Sequence, residues 1–210
     1  MSREESMTNP LDQTIETYRQ HFDKYVERTP SEPTGEYKDW MDSFLTRLPV
    51  GGRILEIGSA SGRDARYFAS KGMKVLCTDI VPQALDRLSE QGFETAEFDF
   101  RDQPKSEWIN AFDGFFANAV LLHATQEIFE RMLMHIAAIL KTGGTAAFSL
   151  KMGKGEEVSL EKMEAPRYYH YYSEQEVRDL LKNFPFKIVQ STFAEQGKWL
   201  MIVMERVDHV

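Results

Sequence analysis

The sequence of 210 residues contains a single cysteine, Cys77. One thiol can form neither an internal disulfide nor a metal site built on several cysteines. Cys77 ends the apolar stretch Met73 to Cys77, which predicts a buried strand, so we expect a small core residue rather than a reactive thiol. The five histidines show no HExxH spacing, and we predict no metal site.

Long apolar runs are also missing, since none approaches the roughly 20 residues that a membrane-spanning helix needs. The first ten residues are polar and lack the basic start and apolar stretch of a signal peptide. We therefore predict a disordered tail over residues 1–10, no membrane partner and a cytoplasmic location.

The chain has no excess of basic residues, because 25 Lys and Arg stand against 33 Asp and Glu, for a net charge of −8. A protein that binds a phosphate backbone normally presents a basic face, so we predict no nucleic-acid partner. A hydrophobic content of 42% in a chain of this length suits one buried core, in a monomer or a homodimer.

Two amphipathic helices are predicted at the start of the chain. Apolar residues recur at steps of three and four from Leu11 to Val26, and Thr29-Pro30 ends the pattern. Residues 40–48 predict a second helix. We treat residues 11–50 as an N-terminal helical cap on a domain that covers residues 51–210.

Strands and helices alternate beyond residue 51, which predicts an α/β fold with a doubly wound sheet and helices on both faces. The five residues between the last two strands make that pair an antiparallel hairpin, so a seven-stranded, mostly parallel sheet is expected. The predicted strands cover residues 53–57, 73–78, 93–98, 112–117, 145–150, 186–193 and 199–205.

Polar residues at the carboxyl ends of these strands mark the candidate site, because open parallel sheets bind ligands there. Gly58 and Gly62 permit a tight turn before a helix N-terminus that favours an anion; an ordinary strand-to-helix turn is the alternative. Asp79 lies about 20 residues further on. In doubly wound nucleotide-binding folds an acid at this position accepts hydrogen bonds from ribose hydroxyls, although Asp79 could also cap a helix.

Two later strands contribute further candidates. Asp99 follows the third strand, where a carboxylate can accept an adenine amino group; a plain polar loop residue is the alternative. Asn118 ends the fourth strand, where the two halves of the sheet part, and is expected to face the reacting end of a bound cofactor.

These stretches together resemble the class I S-adenosylmethionine-dependent methyltransferases, over residues 12–205. In detail they are similar to the small-molecule enzymes grouped around the tellurite-resistance and type 11 methyltransferases, which share the runs at 58–65 and 118–123 in similar form. The resemblance implies a Rossmann-like fold and S-adenosylmethionine as cofactor. It implies cofactor contacts from Tyr18, Glu56, Gly58, Ser59, Gly62, Asp64, Asp79, Ile80, Asp99, Phe100, Asn118 and Ala119.

Within that set, the resemblance places the methionine part on the turn from Glu56 to Gly62 and near Asn118 and Ala119, with Asp64 on the same side. Ile80 or Phe100 would pack against the adenine. One position departs from the family, since Ala60 stands where the middle glycine is usual. Alanine adopts positive φ with difficulty, which would lower affinity for the cofactor.

Methyl transfer needs alignment of the acceptor behind an activated methyl group, with a base only for acceptors such as hydroxyls. His123 is the first candidate base, with a helix-start or core-edge histidine as the alternative. His170 and Tyr168 lie in an aromatic run after a glycine-containing segment, 151–165. We interpret this segment, with the helix at 18–29, as a substrate lid; a short strand or surface packing against the final helix is the alternative.

Two other functions remain open from the sequence. A nicotinamide-dependent dehydrogenase would need glycine at the third and sixth positions of the turn, where Ala60 and Arg63 stand. A non-catalytic S-adenosylmethionine-binding module would keep every cofactor residue. We predict an enzyme that methylates a small-molecule substrate.

Overall fold

The computed structural model describes residues 9–208. Nearly all of the tail predicted at 1–10 therefore lies outside the described residues. Seven strands form one sheet. In chain order they are β1 (Arg53–Ile57), β2 (Lys74–Asp79), β3 (Glu94–Glu97), β4 (Phe112–Ala117), β5 (Leu140–Lys151), β8 (Phe186–Ala194) and β9 (Trp199–Arg206). Across the sheet their order is β3-β2-β1-β4-β5-β9-β8.

The sheet has the predicted doubly wound form. Strands β1 to β5 pair in parallel, and β9 is antiparallel to both β5 and β8. The last hairpin is thus confirmed, and its second strand inserts between β5 and β8. Strand order reverses between β1 and β4, so the crevice of a doubly wound sheet opens above these two strands.

Helices cover both faces of this sheet. The apolar side chains of β4 alternate between the two, with Phe115 packed in one buried cluster and Phe116 in the other. The cluster around Phe116 includes side chains of α3 (Gly35–Leu45), α4 (Arg63–Ser70) and α5 (Pro82–Glu90), and the opposite cluster includes side chains of α6 (Gln126–Ile139) and α7 (Glu174–Leu181). Among residues 9–208, no helix has both the length and the apolar character that crossing a bilayer requires.

The first predicted helix is in fact two helices. α1 (Pro10–Gln20) ends where His21 takes φ −123° and ψ 25°, and α2 (Phe22–Glu27) starts directly after it. These angles are not helical, so the apolar spacing from Leu11 to Val26 spans a bend that periodicity alone does not reveal.

The segment 151–165, interpreted as a substrate lid with a short strand among the alternatives, contains a strand. β6 (Gly155–Ser159) pairs antiparallel with β7 (Arg167–Tyr171) as a separate two-stranded sheet. α1 packs on this hairpin, because the Thr17 hydroxyl donates to the Pro166 carbonyl (2.6 Å) and the Tyr168 N–H donates to the Thr14 hydroxyl (2.8 Å). α1 covers the crevice that its side chains line, and the hairpin packs against α1.

Candidate active site

A cleft opens at the carboxyl ends of β1, β2 and β4, beneath α1. Its space is about 750 Å³ when the part open to solvent is counted. The predicted site residues that line it are Tyr18, Gly58, Asp79, Ile80, Asp99, Phe100, Asn118, Ala119 and His123. The lining residues that the sequence analysis did not select for the site are Leu11, Thr14, Ile15, Phe22, Tyr25, Ile57, Ala60, Val81, Phe98 and Val120.

Asp79 closes the turn after β1 as well as the turn after β2. Its Oδ2 accepts the Ala60 N–H at 2.9 Å, and its Oδ1 accepts the Val81 N–H at 3.0 Å. Burial raises the pKa of this carboxyl, while the two backbone donors act in the opposite direction. An ionised carboxylate has roughly four acceptor positions, so capacity for ribose hydroxyls remains at the cleft.

Asp99 and Phe100 lie beside Ile80 along the same wall. Both oxygens of Asp99 accept from the Nε of Arg101, at 3.0 and 2.9 Å, and Arg101 also pairs with Asp12 of α1 at 2.6 Å. The guanidinium fixes the Asp99 carboxylate and ties α1 to this wall. The chemistry of the wall, with apolar faces next to carboxylates, fits a nucleoside.

Asn118 belongs to a hydrogen-bond network behind the cleft. Its Nδ2 donates to Asp64 Oδ2 at 3.0 Å, and its Oδ1 accepts the Ser149 hydroxyl at 2.8 Å, which in turn accepts the Ala119 N–H at 2.8 Å. Asp64 also pairs with Arg63 at 2.6 Å. The network holds the turn after β4, where Ala119 takes φ 58°, in a left-handed conformation.

Four predicted cofactor residues do not line the cleft. They are Glu56, Ser59, Gly62 and Asp64, all of which lie in or under the turn after β1. Burial, with the nearby Asp64 carboxylate, raises the pKa of Glu56. The Cys77 thiol lies 3.9 Å from Glu56 Oε2 and is itself buried, as predicted for a core residue. These four residues shape the turn rather than form the wall.

His123 lines the other end of the cleft with Tyr18 and Tyr25. Its Nδ1 lies 2.6 Å from the Tyr168 carbonyl, so this nitrogen carries the proton, and its Nε2 accepts the Tyr18 hydroxyl at 3.1 Å. Burial, together with the charges of Arg167 and Lys151, lowers the pKa of His123 to about 3, although the hydrogen bond to the Tyr168 carbonyl acts in the opposite direction. The imidazole is therefore neutral and makes a weak base.

The two other catalytic candidates do not reach the cleft. The Tyr168 side chain points to His170, with 3.5 Å between the hydroxyl and Nδ1, and His170 stacks on Tyr172 with ring centroids 4.4 Å apart. Only the backbone of Tyr168 contributes, through its bond to His123. Among the described residues, no three His, Cys, Asp or Glu side chains lie together in a way that could hold a metal ion.

Residues 25–191 match the family model described as a methyltransferase domain, and the chain belongs to that family. The chain is an S-adenosylmethionine-dependent methyltransferase of class I, and S-adenosylmethionine is its cofactor. The finer likeness to tellurite-resistance enzymes stays a prediction. No match was found among curated protein sequences.

Several solved structures share the fold. A 1,6-didemethyltoxoflavin N1-methyltransferase from Burkholderia thailandensis, solved with 1,6-didemethyltoxoflavin and S-adenosylhomocysteine, is 18% identical with a TM-score of 0.71, over 94% of this chain and 87% of its own. An S-adenosylmethionine-dependent methyltransferase from Methanosarcina mazei is 20% identical, with a TM-score of 0.66 over 80% and 98%. A Rhodobacter sphaeroides protein whose proposed assignment is a zinc-dependent alcohol dehydrogenase is 14% identical, with a TM-score of 0.73 over 97% and 100%. At such identities the likeness concerns the fold alone.

Proposed function

We propose that this methyltransferase acts on a small-molecule acceptor, which enters the cleft at the end formed by Tyr18, Tyr25 and His123. The observation that carries the proposal is the cover of α1, whose Leu11, Ile15 and Tyr18 line the cleft, since a roofed cleft suits a small molecule better than a polymer. The Burkholderia thailandensis relative, which contains a bound small molecule, supports the same substrate class.

We place the nucleoside part of the cofactor on the wall of Asp79, Ile80, Asp99 and Phe100. In this arrangement the Asp79 carboxylate accepts the ribose hydroxyls, and Ile80 and Phe100 cover the base. The methionine part would lie along the turn from Gly58 and against the backbone of Ala119. When bound, the cofactor supplies a methyl group that is already activated.

The residues of this chain then bind and orient the acceptor and exclude water. Because His123 is neutral and weakly basic, we propose that it holds the Tyr18 hydroxyl in place, and that the acceptor supplies its own lone pair. Correct orientation alone can lower the barrier by roughly 7–11 kcal/mol. We assign His170 and the Tyr168 side chain no contact with the acceptor.

Titration calorimetry with S-adenosylhomocysteine tests the cofactor site. Asp79→Ala should weaken binding by about 1–3 kcal/mol, because it leaves polar partners without an acceptor. Asp86→Ala, an exposed change on α5 that lies outside the cleft, should bind like the wild type. Equal affinity of all three proteins would remove the ribose assignment.

Release of S-adenosylhomocysteine with a panel of small thiols, amines, hydroxy acids and metalloid oxyanions tests the enzymatic function. Turnover with any member supports a small-molecule acceptor. A protein that binds the cofactor tightly and methylates only a macromolecule, or nothing, would favour another acceptor class or a binding module.

We also propose a cytoplasmic location, no nucleic-acid partner and a monomeric or homodimeric state. Light scattering tests the oligomeric state.

A further inference from the structure

Arg167 is a buried cation without an acidic partner. Arg167 is only 4% exposed, and no carboxylate of residues 9–208 lies within 4.0 Å of its side-chain nitrogens. Nη1 donates to the Tyr18 hydroxyl at 3.3 Å, Nη2 donates to the Glu161 carbonyl, and Nε has no partner among the described residues. An unpaired buried charge is costly, and Arg63 shows the usual solution in its 2.6 Å pair with Asp64.

A second cation lies on the same tyrosine. The Arg167 guanidinium carbon is 5.2 Å from the ring centroid of Tyr169, and the Lys151 ammonium is 4.4 Å from that centroid. The acid nearest to Lys151 is Glu161, at 3.8 Å, and its side chain is 79% exposed. Pairs exposed to this degree are weak, so much of the positive charge behind Tyr169 stays uncompensated.

This charge acts on the acceptor end of the cleft through one side chain. Tyr18 lines the cleft, accepts from Arg167 and donates to His123. The acids of the cleft wall are Asp79 and Asp99, which follow β2 and β3 and already accept hydrogen bonds from backbone and Arg101. The side chains that contact Tyr18 and His123 thus present positive charge and hydroxyl groups. Burial raises the pKa of the Tyr18 hydroxyl and so does the nearby Asp79 carboxylate, which already accepts from two backbone N–H groups. Arg167 itself does not line the cleft and acts on it from behind Tyr18.

We propose that the Tyr18 end of the cleft is a subsite for the carboxylate of a small organic acid, which accepts from the Tyr18 hydroxyl, with Arg167 behind it as the source of positive charge. The inference rests on the proposed function and names the class of acceptor. Arginine suits this task because its charge is permanent and its guanidinium stacks on tyrosine rings. The Tyr18 hydroxyl can turn from His123 to donate to the same group.

Calorimetry on the protein saturated with S-adenosylhomocysteine tests the subsite with two pairs of probes, benzoate against benzamide and phenylacetate against phenylacetamide. We expect at least one acid to bind, and its neutral amide to bind at least tenfold more weakly. Arg167→Met should reduce the affinity for the acid at least tenfold and leave that for the amide unchanged. Arg131→Met, an exposed arginine of α6 that pairs with Glu127, should change neither.

If Arg167→Met no longer binds S-adenosylhomocysteine and has therefore lost its fold, Arg167→Lys decides, because it keeps the charge and loses the guanidinium that donates to Tyr18. A reduced affinity for the acid then supports the subsite, and an unchanged affinity refutes it. Failure of the wild type to bind S-adenosylhomocysteine would contradict the proposed function. Binding of S-adenosylhomocysteine without any preference for acids over amides would overturn this inference alone.

Discussion

The backbone N–H of Ala60 donates to the carboxylate of Asp79 across 2.9 Å, although Ala60 has a left-handed backbone with φ 47°. That conformation costs a residue with a Cβ roughly 1–2 kcal/mol. The hydrogen bond gives a reason why an alanine persists there, since it fixes the turn after β1 to the end of β2. The sequence predicts that alanine avoids this conformation, whereas the structure adopts it with strain.

Ala60→Gly should therefore stabilise the protein. Glycine removes the steric cost at positive φ but adds freedom to the unfolded chain, so a net gain of about 0.5–1 kcal/mol is expected. For a chain of this size, that corresponds to a rise in Tm of a few degrees in calorimetry. Ala65→Gly, inside helix α4, is the matched control and should lower Tm. A fall in Tm for Ala60→Gly would show that the turn carries no strain.

Glu56 is expected to make the protein less stable as the pH rises. Because burial raises its folded-state pKa above the ordinary 4.5, the native state keeps a proton that the unfolded chain has released. Its contribution to stability is full below pH 4.5 and declines above it, by up to about 1.4 kcal/mol per pH unit. Glu56→Gln should gain stability over the wild type between pH 5 and 7 in urea unfolding.

The control for this experiment is Glu90→Gln, at the exposed end of α5. Its unfolding curves should run parallel to those of the wild type at every pH. Parallel curves for Glu56→Gln would mean that the Glu56 carboxyl ionises in the folded protein as it does in water.

His123 should have the opposite effect to Glu56 and make the protein less stable as the pH falls. Its folded-state pKa of about 3 lies below the ordinary 6.5, so between these values the unfolded chain binds a proton that the native state does not. The contribution is full above pH 6.5 and is lost as the pH falls towards 3. His123→Gln, which keeps a donor and an acceptor for Tyr168 and Tyr18, should flatten this part of the stability curve.

Urea unfolding at pH 4.5 and at pH 7 measures the loss of unfolding free energy on acidification. His21→Gln, between α1 and α2, is the comparison variant. The cofactor affinity of His123→Gln should stay close to that of the wild type. If wild type and His123→Gln lose the same stability on acidification, the imidazole is charged in the native state and a base role gains support.

Much of the fold was predictable because each element carries local signals. Alternating strands and helices, glycine stops and short hairpins specify the order of elements, and the class I resemblance specifies the sheet. The bend at His21 was missed and strand β6 was only an alternative, since an apolar stripe continues across a short kink and the β6 sequence Gly155–Ser159 lacks an apolar pattern. Pairing with β7, which contains three buried residues, makes β6 a strand.

The site was predictable where a residue follows a strand, as Asp79 and Asn118 do. Arg167 and Tyr25 were not predicted, because their roles arise from contacts between segments far apart in sequence. Arg167 reaches Tyr18 from β7, and Tyr25 reaches the cleft only because α2 turns back at His21. Sequence spacing contains no signal for such contacts; the arginine that begins the aromatic run at 167–172 was the available hint.

Gly58→Ala should damage both the fold and the cofactor site. A Cβ on Gly58 would lie 2.5 Å from Cγ2 of Val120, which lines the cleft, and Gly58 has φ 67°. The variant therefore combines backbone strain of about 1–2 kcal/mol with a clash that pushes Val120 into the cleft. Calorimetry should show a lower Tm and at least tenfold weaker binding of S-adenosylhomocysteine.

Gly72→Ala separates these two effects. Gly72 has φ 81°, but a Cβ there would meet nothing within 4 Å. This variant should lose a similar amount of stability through backbone strain and keep the wild-type affinity for S-adenosylhomocysteine. Equal affinities for Gly58→Ala and Gly72→Ala would show that the turn after β1 does not contact the cofactor. A loss confined to Gly58→Ala ties the wall at Val120 to the bound ligand, because strain alone is common to both variants.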